Sequence, residues 1–99
     1  VELDELTATH LYRIAQEAIN NALKHAHAGR VEITLVRNDE GILMRISDDG
    51  RGLPNRPAKS SGMGLRIMRY RANTIGSSLQ IRSRKDKGTT VTCSLSRTS

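Results

Sequence analysis

The chain predicts an α+β fold, a two-layer α/β sandwich whose antiparallel or mixed sheet carries both helices on one face. Two observations lead there. Two stretches have apolar residues at helical spacing, and each is followed by a pair of alternating, strand-like segments joined by a short turn. The alternation of strand and helix that marks a doubly wound sheet is missing, as is a Gly-x-x-x-x-Gly-Lys-Ser/Thr phosphate loop. With 99 residues, the chain is expected to form one small domain, residues 1–99, with a single core.

The first helix is read from Thr7 to about His27, where Leu11, Ile14, Ala15, Ala18, Ile19, Ala22, Leu23 and Ala26 recur every three or four residues. Thr7 or Thr9 is the expected cap, and Gly29 lies just beyond the end. At about 100° per residue, Glu17, Asn21 and Lys24 share one narrow polar arc beside the apolar stripe. Such an arc borders a cleft. Arg13 and Asn20 fall farther round toward solvent, so Asn21 is the better site candidate of the two asparagines.

Val31–Val36 alternates as a half-buried strand, and Ile42–Asp48 follows after the turn residues Asn38, Asp39, Glu40 and Gly41. Ile42, Met44 and Ile46 share one face, and the period of two brings Asp48 to that face. A carboxylate aimed at the covered side of a sheet requires a partner. The backbone N–H groups of the turn at Gly50 and Gly52 can supply one, and so can a ligand.

Arg51–Ser61 has Pro54, Pro57 and no apolar period, and is expected to be a loop. The second helix follows, with Leu65, Met68, Ala72 and Ile75 as its stripe, the glycines Gly62 and Gly64 opening it, and an end near Gly76. Leu79–Ile81 and Val91–Leu95 are the last two strands, with Asp86, Lys87 and Gly88 between them.

Composition narrows the function. The apolar fraction is 36%, the aromatic fraction 2% with no Trp or Phe, so the core is built from Ile, Leu, Val, Met and Ala. No apolar run approaches the ~20 residues of a membrane span and no signal-peptide pattern opens the chain, so it is expected to be soluble and cytoplasmic. A single cysteine excludes an internal disulfide and a multi-cysteine metal site. Cys93 alternates with Val91 and Leu95 and is expected to be a buried, inert thiol. The formal charge of +6 suits an anionic partner, whether nucleotide, nucleic acid, acidic protein or lipid surface. With only Tyr12 and Tyr70 to stack on bases, nucleic acid is not the expected one, and Arg66, Arg69 and Arg71 are expected to form a solvated helix face.

Three short stretches then stand in a telling order: Glu17 to Ala22 on a helix, Asp48-Asp49-Gly50-Arg51-Gly52 after a strand, and Gly62-Met63-Gly64-Leu65 at a helix start. A carboxylate and an amide one helical turn apart suit hydrated Mg²⁺. An acid followed by two glycines suits a base packed against backbone, and glycines before a helix suit phosphate. Together they read as an ATP site.

These residues resemble the gyrase-like ATP-binding superfamily with the Bergerat fold, and within it the catalytic domain of sensor histidine kinases of the nitrate-sensor and lipid-thermosensor type. Tyr12–Ala26 resembles the N-box, Ser47–Pro54 the G1 box, Gly62–Ala72 the G2 box with its helix, and Gly88-Thr89-Thr90 the Gly-Thr pair before the last strand. The resemblance spans Leu11 to Leu95. It implies that Asn21 gives a side-chain oxygen to Mg²⁺, that Glu17 is the general base or a contact to metal-bound water, and that Asp48 accepts a hydrogen bond from the adenine amino group. It further implies nucleotide contacts from Gly50, Gly52, Gly62, Gly64 and Leu65, phosphate contacts from Lys24 and His25, and a supporting role for Thr89 beside adenine.

The resemblance also implies a reaction: transfer of the γ-phosphoryl group of Mg·ATP to a histidine on a dimerisation domain of the same kinase, then onward to a response regulator. None of His10, His25 and His27 stands in an acceptor motif, so the acceptor is expected on a separate upstream helix, and any membrane attachment through segments not in this chain. The family has strand material before the N-box helix where this chain has few residues, so the sheet is expected to be short of an edge. The lid between Arg51 and Ser61 is brief and lacks a phenylalanine box, as in the named subgroup, whereas Tyr70 stands where that subgroup often has an acid. Two alternatives differ in outcome: an anti-sigma-factor-type serine kinase or other gyrase-like ATPase, and a basic non-enzymatic binding module.

Overall fold

The computed structural model describes residues 4–25, 28–50, 59–84 and 87–96. The order is α1 (Glu5–Asn20) with a π-helical turn (Asn21–His25), β1 (Val31–Asn38), β2 (Gly41–Asp48), α2 (Lys59–Thr74), β3 (Ser78–Arg84) and β4 (Gly88–Ser96). The four strands form one antiparallel sheet in the order β1-β2-β4-β3.

Each element ends where its sequence supplies a partner for the backbone. Asp4, rather than Thr7 or Thr9, caps α1, because its carboxylate accepts the Thr7 N–H at 2.7 Å and holds that acid below its ordinary pKa. At the far end of α2, Gly76 takes φ +70° while Ser77 N–H reaches Ala72 O and Gly76 N–H reaches Asn73 O. Those two bonds are a Schellman stop, and they explain why the helix ends at Gly76. In the β1–β2 turn, the Asn38 side chain accepts from the N–H groups of Glu40 and Gly41.

The register aligns Met44 with Cys93 and Ile46 with Val91, and these four side chains are buried on the helix-bearing face with Ile42. Leu11, Ile14 and Ala18 of α1 and Met68 and Ala72 of α2 complete the core. Ile14, Met68 and Cys93 are its largest fully buried side chains, and truncating Ile14 or Met68 to Ala is expected to cost about 2–5 kcal/mol. Burial raises the Cys93 pKa, opposed in part by its contact with the Ser77 hydroxyl at 3.1 Å, so the thiol is inert as expected.

Three expectations need correction. β1 is not half-buried: Ile33 and Leu35 face the helix side yet stay 55% and 58% exposed, because β1 is the sheet edge and α1 lies over β2. Residues 59–61, expected in the loop, are helical, so Gly62 and Gly64 lie within the first two turns of α2 rather than ahead of it. Two helical glycines cost about 1 kcal/mol each, which the burial of the α2 stripe offsets. Arg71 does not join the exposed Arg66 and Arg69; it is half-buried, with Nη1 3.3 Å from Nδ1 of buried His10.

Candidate nucleotide site

Of the polar arc of α1, Glu17 and Asn21 lie against α2. A Cβ placed on Gly64 would come within 3.0 Å of Glu17 Oε2 and 3.4 Å of Asn21 Oδ1, so α2 backbone passes directly over that pair. Glu17 pairs with neither Arg13 nor Lys24 among the described residues; Arg13 instead bonds Gln16 and stacks over Tyr12. Lys24 is exposed on the same side of the helix end.

Asn21 stands where α1 widens into a π turn, its N–H shared between the Ala18 and Glu17 carbonyls. π turns are rare and concentrate at functional sites. The widened end closes through Ala28 N–H to Ala22 O at 2.9 Å.

Asp48 occupies the other end of the same cleft. Its Oδ1 accepts the Gly50 N–H at 2.8 Å, which is the backbone bond the turn was expected to offer. Its second oxygen has no hydrogen-bond partner among the described residues. Ala18, Asn21, Ile46, Asp48, Leu65, Met68, Ile81, Thr89 and Val91 line the cleft, whose free volume is about 10 Å³. Sites for small organic ligands are usually about 300–1,000 Å³, so the cleft as it stands is smaller than a purine needs.

Thr89 is buried and lines the cleft, but its hydroxyl pairs with Ser83 at 3.1 Å. Gly88 has φ +100°, and a Cβ there would collide with the Asp48 carbonyl oxygen. The β3–β4 turn thus packs on the backbone that carries the acid. The structure brings Glu17, Asn21, Asp48, Gly64, Leu65 and Thr89 around one cleft, with Gly50 in the turn behind Asp48. Gly52 and the His25 side chain lie outside the described residues.

Sequence reasoning gave Gly88 no contact with the site and Asp49 no role. The packing of Gly88 on Asp48 is a tertiary contact that a turn glycine does not announce. Asp49, one carboxylate beyond Asp48, accepts the N–H groups of both Gly29 and Arg30 at 2.9 Å. Its place in an Asp-Asp-Gly run was the only signal.

Among the described residues no group of three or more His, Cys, Asp or Glu is arranged to hold a metal. The Glu17 and Asn21 oxygens converging on Gly64 nevertheless match a hard divalent ion that takes one or two protein oxygens and fills its shell from phosphates and water.

A sheet layered on two helices, with the cleft between them framed by an asparagine, an acid and glycines, defines a nucleotide-binding module. The family described as histidine kinase-, DNA gyrase B- and HSP90-like ATPase matches residues 7–99, and the chain belongs to it. Relatives include the nitrate/nitrite sensor protein NarX of Escherichia coli, 39% identical over 84 residues, and the sensor protein VraS of Staphylococcus aureus, 40% identical over 82 residues. These matches cover 85% and 83% of this chain but only 14% and 24% of the two relatives, so the chain corresponds to a small part of each. The histidine kinase domain of a blue-light activated kinase from Erythrobacter litoralis superposes with a TM-score of 0.78 at 25% identity, covering 96% of this chain and 50% of that one. The ATP-binding domain of PrrB from Mycobacterium tuberculosis shares the fold, with a TM-score of 0.71 at 24% identity over 92% of this chain and 69% of that one.

Proposed function

We propose that residues 1–99 are the ATP-binding catalytic domain of a longer two-component sensor histidine kinase, delivering the γ-phosphoryl group of Mg·ATP to a histidine on a separate dimerisation domain. The observation that carries this reading is the convergence of Glu17, Asn21 and Gly64 at one end of a cleft whose other end holds Asp48.

In this reading Asp48, its orientation fixed by the Gly50 N–H, turns its second oxygen to the adenine amino group. Guanine offers a carbonyl at that ring position and is refused. Gly50 and Gly52 admit the base against backbone, Thr89 and Leu65 border it, and Gly62 and Gly64 let α2 backbone approach the phosphates. Asn21 Oδ1 would be the protein oxygen that holds Mg²⁺, and the ion would supply neutralisation of the phosphate charge. Glu17 would accept the acceptor's proton or hydrogen-bond water beside the metal, and Lys24 and His25 are the residues proposed to contact the phosphates. Catalysis is then positioning plus electrostatic stabilisation.

The partners are the dimerisation domain bearing the acceptor histidine and, downstream, a response-regulator receiver domain. No helix among the described residues is long and apolar enough to cross a membrane. A cytoplasmic position for this domain fits its need for ATP.

The test is phosphotransfer in trans. Incubated with Mg·ATP labelled at the γ position and the isolated dimerisation domain of the same kinase, the chain is expected to yield acid-labile phosphohistidine. Acid-stable phosphoserine on a protein substrate would select the serine-kinase alternative instead.

A further inference from the structure

Asp49 is an exposed carboxylate on the end of β2, yet it is not used as a surface charge. Arg30, whose backbone N–H it accepts, pairs its guanidinium with Glu32 at 3.0 Å. Asp49 Oδ1 instead accepts two successive backbone N–H groups, Gly29 and Arg30, each at 2.9 Å, and its own N–H donates to Arg30 O at 3.2 Å. The β1–β2 register ends at Val31 opposite Asp48, so the Asp49 N–H to Arg30 O bond carries the ladder one residue farther. Successive N–H groups closing on one anionic oxygen make a short, charge-assisted clamp.

The clamp joins the two halves of the cleft. Gly29 and Arg30 come just after Ala28, whose N–H reaches Ala22 O in the π turn that carries Asn21. Asp49 adjoins Asp48, and the alternation of a strand sends their side chains opposite ways, one back to Gly29 and Arg30 and the other into the cleft. Freeing Asp49 therefore frees the peptide that aims Asp48.

We infer that Asp49 is a positioning residue for nucleotide binding, fixing Asp48 relative to Asn21 through the backbone of Gly29 and Arg30. This inference rests on the ATP-site reading above. Asp49 touches neither base nor phosphate; it acts through Asp48.

The experiment compares the chain with its Asp49→Ala and Asp49→Asn variants by calorimetric titration of Mg·ADP and Mg·GDP at a temperature where each is folded. Asp49→Ala is expected to weaken Mg·ADP binding about tenfold or more and to erode the preference over Mg·GDP. Asp49→Asn keeps an acceptor oxygen and is expected to stay within about threefold of the unaltered chain. Coupling is reciprocal, so Mg·ADP is expected to slow hydrogen exchange at the Gly29 and Arg30 amides of the unaltered chain, a readout that stands if Asp49→Ala fails to fold.

A folded Asp49→Ala that binds Mg·ADP as the unaltered chain does, or exchange at those amides that ignores Mg·ADP, overturns this inference and leaves the ATP site standing. No Mg·ADP binding by the folded, unaltered chain overturns both.

Discussion

The two walls of the cleft are made differently. One wall, α1 and the end of β2, acts through side chains: Glu17, Asn21 and Asp48. The other, α2 and the β3–β4 turn, acts through the lack of them, since Gly64 lies over Glu17 and Asn21 and Gly88 lies on the Asp48 backbone. The side-chain wall stands on a capped helix and a central strand, so its groups can change without moving the fold. The glycine wall holds its groups by close approach, but an added Cβ meets backbone at Gly88 and only the ends of side chains at Gly64.

The largest effect is therefore expected at Gly88. Gly88→Ala adds a Cβ that collides with the Asp48 carbonyl at a φ that L side chains rarely adopt. A loss of about 3 kcal/mol or more is expected in urea unfolding, together with nucleotide binding. A loss under about 0.5 kcal/mol would erase the contrast between the walls.

Asn21→Ala is the opposite experiment. Mg²⁺-dependent Mg·ADP affinity is expected to fall at least about tenfold with little change in melting temperature, and adding a chelator is expected to abolish the difference between the two chains. Gly64→Ala sharpens the comparison by splitting two quantities. The change should add up to about 1 kcal/mol of helix propensity, while the new methyl crowds Glu17 and Asn21 and weakens nucleotide binding. Melting temperature and affinity moving in the same direction would contradict the role given to that glycine.

The smallest effect lies behind the cleft, in Cys93. Its pKa is raised in the fold chiefly by burial, so above the ordinary thiol range the unfolded chain has lost a proton that the folded chain keeps. Stability is expected to decline as pH rises through that range, and Cys93→Ala is expected to flatten the decline, measured by urea titration at several alkaline pH values.

How much of this was legible follows from the range of each interaction. The arc of Glu17 and Asn21, the direction of Asp48 and the stop at Gly76 follow from local periods and turn chemistry, and a sequence displays them directly. Asp4 was missed as the cap because Thr7 and Thr9 are also capping types and lie nearer the apolar stripe that located the helix, which begins only at Leu11. The exposure of β1 depends on which strand is the edge, and strand order is set by tertiary pairing rather than by alternation. Neither the clamp at Asp49 nor the collision at Gly88 has a local signature, because each joins segments distant in sequence.

The central claim is that Asp48 reads adenine. Calorimetric titration of Mg·ADP and Mg·GDP into the chain and into Asp48→Asn tests it most directly, because asparagine can keep the Gly50 bond and the fold while removing the carboxylate. Adenine-selective binding that the substitution weakens about tenfold or more is the expected result. Equal affinity for the two nucleotides, or an undiminished preference for Mg·ADP in Asp48→Asn, would contradict it.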